Sequence, residues 1–188
     1  MTPSVVLRSG GKSIQELLPP LREAIALLER HGYRYAVIGG IAVAFWGTTR
    51  ATRDVDLKVL VPDTDYPALR AILRAVLPER ARPHIPPNPL IVDTRIGGIA
   101  VDFLLAAPGY EENIITHATS VDLEGLPVWI CSPEDLIIQK AVAGRPQDWL
   151  DIEGVLIEQH ARLDRDYIDD WLPQFAEGRL DIQAQGRI

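Results

Sequence analysis

The chain lacks cysteine pairs, membrane-length apolar runs and clustered histidines, and each lack narrows what it can do. A single Cys131 in 188 residues excludes an internal disulfide and fits a reducing compartment. The longest apolar runs fall far short of a membrane span. No basic, apolar and small-residue leader opens the sequence. A cytoplasmic protein with no membrane partner is therefore expected. His31, His84, His117 and His160 are scattered, with no metal-ligand spacing. Nothing in the residue order suggests a Ser/His/Asp or Cys/His nucleophile, a dinucleotide-binding glycine fingerprint or a P-loop. Internal repeats and low-complexity segments are also missing.

Basic charge is short as well. The net charge is −7, but it is unevenly spread. Residues 1–110 carry 13 Lys/Arg against 10 Asp/Glu, and residues 111–188 carry 6 against 16. A globally acidic chain is a poor general binder of polyanions, because that affinity depends on neutralising phosphates. A nucleic-acid substrate would have to dock on a local patch, and Arg70, Arg74, Arg80, Arg82 and Arg95 are the candidates. The plainer reading of those arginines is a solvated helix face and loop. The acidic C-terminal region reads as a solvated helical surface or a contact for a basic partner.

What is present is ordinary globular composition, enough for one domain or one domain with a small helical appendage. Residues 1–12 have little pattern. Ser13-Ile14-Gln15-Glu16 has capping-box spacing. Pro20 fits the first turn of a helix carrying Leu21, Ala24, Ile25 and Leu28, which Gly32 ends. Strands are expected at 35–38 and 55–61, with a short buried helix at 41–46 between them. An amphipathic helix spans 65–77, and a proline-rich loop follows. Residues 90–93 and 99–105 read as a hairpin joined by 94–98, and 120–123 with 127–130 as a second. A short helix is expected at 111–118. Ser132-Pro133-Glu134-Asp135 marks a helix start, with that helix ending near Gly144. Helices over 146–159 and 164–175 follow, and the tail from Gly178 reads as weakly ordered. The order predicts an α+β fold, a mixed sheet with flanking helices and a helical C-terminal region.

The segment 35–61, YAVIGGIAVAFWGTTRATRDVDLKVLV, concentrates the chemistry. On a strand, Asp54 and Asp56 at i and i+2 point to one face. Two carboxylates on one face repel, more so when buried, and a divalent cation removes the repulsion. Val55, Leu57, Val59 and Leu60 around them argue against a plain solvated edge. Gly39-Gly40 between strand and helix offers backbone N–H groups where phosphate oxygens bind; the plainer reading is a tight turn. Arg50 and Arg53 could clamp a triphosphate or pair with the aspartates. Metal and phosphate in one segment suggest phosphoryl or nucleotidyl transfer.

Ile38-Gly39-Gly40, a spacer and Asp54-Val55-Asp56-Leu57, with Asp102 in Ala100-Val101-Asp102-Phe103, resemble the nucleotidyltransferase superfamily that includes DNA polymerase beta and the aminoglycoside nucleotidyltransferases. The finer run Gly47-Thr48-Thr49-Arg50-Ala51-Thr52-Arg53-Asp54 is most similar to the minimal AbiEii toxin type. So is Ser132 to Asp151, with Lys140, Arg145 and Asp148. The resemblance covers roughly residues 33–155. It implies a nucleotidyltransferase core over 13–131, a helical region over 132–177 packed on it, and tails at 1–12 and 178–188. It implies transfer of an NMP group from an NTP such as ATP to a hydroxyl, with release of pyrophosphate. Asp54, Asp56 and Asp102 would be the catalytic, metal-holding residues for Mg²⁺, in a two-ion site, or for Mn²⁺. Gly39, Gly40, Arg50, Arg53 and Lys140 would bind the nucleotide. Asp148 and Asp151 read equally well as salt bridges between two helices. The implied acceptor is RNA, with tRNA and a cognate antitoxin protein as in toxin-antitoxin systems, or a small hydroxyl compound of the aminoglycoside kind. A non-catalytic nucleotide- or partner-binding module is the third reading, and the presence of all three carboxylates counts against it. Trp46 is expected in the core, and Trp129, Trp149 and Trp171 in the core or at an interface.

Overall fold

The computed structural model describes residues 13–48, 52–80 and 88–185, with side chains described as far as residue 177. Helix α1 (Ile14–Arg30) starts at Ser13, whose hydroxyl accepts the Glu16 N–H while the Glu16 carboxylate accepts the Ser13 N–H at 2.8 Å. This closed capping box starts the helix ahead of Pro19 and Pro20, so the prolines lie inside it rather than in its first turn. Each removes one bond to a residue four back. Those acceptors belong to Gln15 and Glu16, both exposed, so water can serve their carbonyls.

Strand β1 (Tyr35–Ile38) leads into α2 (Gly39–Trp46). Strand β2 (Asp54–Val59) is followed by a short 3₁₀ turn at Pro62–Thr64 and by α3 (Tyr66–Val76), capped by the Asp65 side chain on the Ala68 N–H. Strands β3 (Ile91–Ile96) and β4 (Ile99–Leu105) form a hairpin around Gly97-Gly98. Both glycines have positive φ, 56° and 80°, as the tight two-residue turn requires. Helix α4 (Tyr110–Thr116) precedes a second hairpin, β5 (Thr119–Leu123) and β6 (Leu126–Ile130).

Among the described residues these strands form one mixed sheet in the order β3-β4-β2-β1-β6-β5. Strand β2 runs parallel to β4 and antiparallel to β1, and β1 runs parallel to β6. The period of two sorts the side chains onto two faces. Tyr35, Val37, Val55, Leu57, Val59, Val92, Val101, Phe103 and Leu105 share one face and are buried. Helix α1 lies against β2, β3 and β4, and its stripe of Leu17, Leu21, Ala24, Ile25 and Leu28 is buried. Each such large apolar side chain contributes about 1.5–3 kcal/mol when fully buried. The opposite face of β2 carries Asp54, Asp56 and Lys58. Helix α4 lies against β1 and β2, tied by Lys58 Nζ to Glu111 Oε1 at 2.6 Å.

The chain divides into two compact units. The first is the sheet with its helices, ending at Ser132. The second comprises Trp46–Thr48 together with the helices from Pro133 onward. In the second, α5 (Pro133–Ala143) packs on α6 (Pro146–Gln159) and on α7 (Arg165–Gln185). Helix α7 runs past Gly178, where the sequence pattern suggests loose chain. Gln159 Nε2 donates to the Trp46 carbonyl at 2.8 Å, which fastens the 46–48 segment to α6. Trp46 is half-buried. Trp129 and Trp149 stand outside the core, 48% and 56% exposed. Among the described residues no helix is long and apolar enough to cross a membrane.

Candidate functional site

Strand β1 ends at Ile38, and the next residue must turn the chain into α2. Gly39 does so with φ at +64°. A Cβ there would stand 2.1 Å from Asp56 Oδ2. The Asp56 carboxylate therefore fills the space that a side chain at 39 would need. A Cβ at Gly40 would stand 2.2 Å from Thr52 Oγ1. The Thr52 hydroxyl in turn donates to Asp54 Oδ1 at 3.2 Å. The two glycines thus let the first turn of α2, with its unpaired backbone N–H groups, sit directly against the start of β2.

The sheet register brings the carboxylates together. Asp54 and Asp56 share one face of β2, and Asp56 is paired across to Asp102 on β4. Paired residues point to the same face, so all three predicted aspartates do. Asp54 and Asp56 are half-buried; Asp102 is 6% exposed. A fourth carboxylate joins them. Asp93 on β3 is paired with Asp102, so Asp93, Asp102 and Asp56 form a row across three strands, each step about 4.8 Å.

Arg80 faces this row. Its Nη2 donates to Asp102 Oδ1, and to Asp93 Oδ1 at 3.4 Å. Its main chain is held too. The Arg80 N–H donates to the Asp93 carbonyl at 3.0 Å, Glu79 bridges to Thr94, and the Thr94 hydroxyl donates to the Pro78 carbonyl at 2.6 Å. Among the described residues, no group of three or more His, Cys, Asp or Glu side chains stands ready to hold a metal ion as placed. The donor set is nevertheless the hard oxygen chemistry that Mg²⁺ and Mn²⁺ take. It lies on one face and on rigid strands, and Arg80 already marks it as a place where positive charge is stabilised.

The other predicted residues divide as follows. Arg53 is exposed immediately before β2. Arg50 lies outside the described residues, as does Arg82. Lys140, on α5 in the helical unit, is 7% exposed. Its ammonium pairs with Asp148 Oδ1 at 3.0 Å and Asp151 Oδ2 at 2.8 Å, so the salt-bridge reading of Asp148 and Asp151 holds. Asp148 also accepts Arg145 Nε at 2.7 Å and the Arg145 backbone N–H at 3.1 Å. Burial pushes the Asp148 carboxyl up, but the Arg145 and Lys140 hydrogen bonds and the Lys140 charge outweigh it and hold it down at about 2. Asp135, fully buried on α5, accepts the Tyr167 hydroxyl at 2.9 Å; burial and this neighbour push the Tyr167 phenol up.

The arginines considered as an RNA-docking patch have protein partners. Arg70 donates to the Pro89 and Ile91 carbonyls, Arg74 pairs with Glu79, and Arg95 donates to the Gly98 carbonyl. Arg80 faces the carboxylates. Sequence reasoning missed Asp93, Thr52 and this place of Arg80. A signal for Asp93 exists: a two-residue turn at Gly97-Gly98 pairs residue 93 with 102 by simple counting, whereas a longer loop over 94–98 ends the strand at Asp93.

Known structures share this fold. One is an antigenic nucleotidyltransferase-like protein from Paracoccidioides brasiliensis, at 18% identity and TM-score 0.57, with 90% of this chain and 91% of that one covered. Another is the antibiotic-resistance factor ANT(2'')-Ia in solution, at 18% identity and TM-score 0.60, with 92% and 97% covered. ANT(2'')-Ia in complex with adenylyl-2''-tobramycin matches at 20% identity and TM-score 0.55, with 87% and 99% covered. At these identities the likeness is one of fold: a mixed sheet with flanking helices, the nucleotidyltransferase fold. Among curated proteins, none matches the chain by sequence. The profile of the family described as nucleotidyltransferase of unknown function (DUF6036) matches residues 16–172, and the chain belongs to that family.

Proposed function

We propose that this protein is a metal-dependent nucleotidyltransferase that moves an NMP group from an NTP, ATP foremost, to a hydroxyl of a small molecule. The observation that carries this is the convergence of Asp54, Asp56 and Asp102 on one sheet face, beside a Gly39-Gly40 turn with no room for a side chain. Asp54, Asp56 and Asp102 would hold Mg²⁺ or Mn²⁺. Such ions, when bound, neutralise phosphate charge and favour in-line displacement at the α-phosphorus. The chain's own groups do the rest. Backbone N–H groups at Gly39 and Gly40 bind phosphate oxygens; Gly40 has no hydroxyl to offer. Arg53, with Arg50, clamps the triphosphate. Asp102 takes the proton of the acceptor hydroxyl as its oxygen bonds to the α-phosphorus, and the bond to the departing pyrophosphate breaks.

A small acceptor is favoured over RNA because the described arginines of the docking patch already have protein partners and residues 111–188 carry a large acidic excess. The test is incubation with labelled NTPs and Mg²⁺, with an aminoglycoside panel and, separately, total RNA. A labelled small product is expected. Labelled RNA would instead favour the AbiEii-type reading and its antitoxin partner. In parallel, calorimetry on Asp54→Asn/Asp56→Asn should show an intact fold and no Mg²⁺-dependent NTP binding, since removing like charges relieves repulsion. Unchanged Mg²⁺-NTP affinity in that variant would refute the metal assignment.

A further inference from the structure

We propose that Arg80 is an internal counter-cation that reserves Asp102, so that the nucleotide-free protein binds divalent metal weakly and Asp102 joins the metal site only when Arg80 is displaced. The inference rests on the reading of Asp54, Asp56 and Asp102 as the metal-holding set.

Three observations carry it. First, Arg80 Nη2 contacts Asp102 Oδ1 directly, on the side chain that pairs across the sheet with Asp56. A guanidinium and a divalent ion cannot both take the same oxygen lone pair at short range. Second, the arginine is delivered there by built structure. The bridge of Glu79 to Thr94, the Arg80 N–H on the Asp93 carbonyl and the Thr94 hydroxyl on the Pro78 carbonyl fix its backbone along the edge of β3. Third, the arrangement is not fully satisfied. Among the described residues, Arg80 Nε is buried without a hydrogen-bond partner. An orphaned donor next to a filled one favours a second arrangement in which the guanidinium turns. Asp93 Oδ1, at 3.4 Å, holds the arginine close once Asp102 is released.

The physical logic is charge matching. Asp56, Asp102 and Asp93 stand in a row with Asp54 on the same face, and without a cation they repel. Arg80 supplies one positive charge in the metal-free protein. A metal arriving alone must displace it and strand it. A metal arriving with a triphosphate brings anionic oxygens to which the freed guanidinium can turn. Arg80 is thus a positioning residue for Asp102, and it makes metal and nucleotide binding cooperative.

The test is Mn²⁺ binding without nucleotide, followed by electron paramagnetic resonance of the free ion, in a two-by-two set: wild type, Arg80→Gln, Asp102→Asn and the double variant. Arg80→Gln should tighten Mn²⁺ about tenfold or more, as expected for removing a competing charge within contact distance. In the Asp102→Asn background the same substitution should change affinity by no more than about twofold, because the carboxylate charge that guanidinium and metal contest is gone. Unchanged affinity in Arg80→Gln overturns the proposal. So does equal tightening in both backgrounds, which would mean a general field effect. On the wild-type protein, the Arg80 Nε–H resonance should shift when Mg²⁺ and a non-hydrolysable ATP analogue are added together, and stay put with Mg²⁺ alone; a resonance unmoved by the pair also overturns it. Wild-type protein that binds no Mn²⁺ even with the analogue present would instead fail the metal-dependent reading itself.

Discussion

At Gly39 the absence of one carbon atom lets a helix start and a carboxylate occupy adjoining space. Gly98 makes a useful contrast: it too has positive φ, +80°, but nothing lies within 4 Å of where its Cβ would be. Gly98→Ala should therefore cost only the left-handed backbone penalty, about 1–2 kcal/mol. Gly39→Ala adds a collision with Asp56 to the same penalty. Its melting temperature should fall further than that of Gly98→Ala, and it should lose Mg²⁺-NTP affinity while Gly98→Ala keeps it. Thermal melts and calorimetric titration check both. Equal behaviour of the two variants would show that Gly39 is a turn residue only. The Gly-Gly pair and the Asp-x-Asp pair are both legible in the amino-acid sequence, because each is a local pattern. Their mutual contact is not, since a sequence spacing does not say which atoms fill a gap.

At the scale of elements, the polar face of β2 is closed at one end by α4. Lys58 is 5% exposed and depends on Glu111, whose other oxygen accepts the Ala107 N–H at 2.8 Å. Removing the acid would leave a buried ammonium unpaired. Glu111→Ala should destabilise by about 2–4 kcal/mol, while Lys58→Met with Glu111→Gln should recover most of that loss. Denaturant melts of the single and paired variants test this; a single variant as stable as wild type would mean that α4 is not held by the pair. Periodicity and caps place most strands and helices well, as at β1, the second hairpin, α5 and α6. Among the elements that differ from the sequence pattern, such as α7 with its longer run, two do so for identifiable reasons. The capping box at Ser13 starts α1 ahead of its prolines, and the Gly97-Gly98 turn extends β3 to Ile96. The second difference hides Asp93, because a strand ending there has no register with Asp102.

For the molecule as a whole, charge is the dominant composition signal, and the helical unit handles part of it internally. Asp148 sits there with its carboxyl at about 2 against an ordinary 3.8. A depressed carboxyl binds fewer protons folded than unfolded, so its stabilisation is complete above the unfolded value and disappears as pH falls through about 2. Allowing for solvent screening, the contribution is on the order of 1–2 kcal/mol. Asp148→Asn should therefore be less stable than wild type at neutral pH, and the gap should close between about pH 4 and pH 2. Urea melts across that range, followed by helical circular dichroism, measure it. A gap that does not change with pH would mean that Asp148 acts through packing rather than charge.

Two kinds of information separate cleanly in this protein. By itself the sequence determined the class of fold, the order of elements, the nucleotidyltransferase motif of Gly39-Gly40 with Asp54 and Asp56, and the candidacy of Asp102. The fold class and element order depend on periodicity and turn chemistry, which act over a few residues; the motif and Asp102 rest on the resemblance to the nucleotidyltransferase superfamily. Only the tertiary structure decided which groups meet across strands and between helices. Asp93 and Arg80 reach Asp102 through the register of β3 with β4 and the bridge of Glu79 to Thr94. Lys140 finds Asp148 and Asp151 through the packing of α5 on α6. The physical reason is that a charged side chain takes its partner from whatever the packed backbone brings within about 4 Å, and local pattern carries no record of that distance.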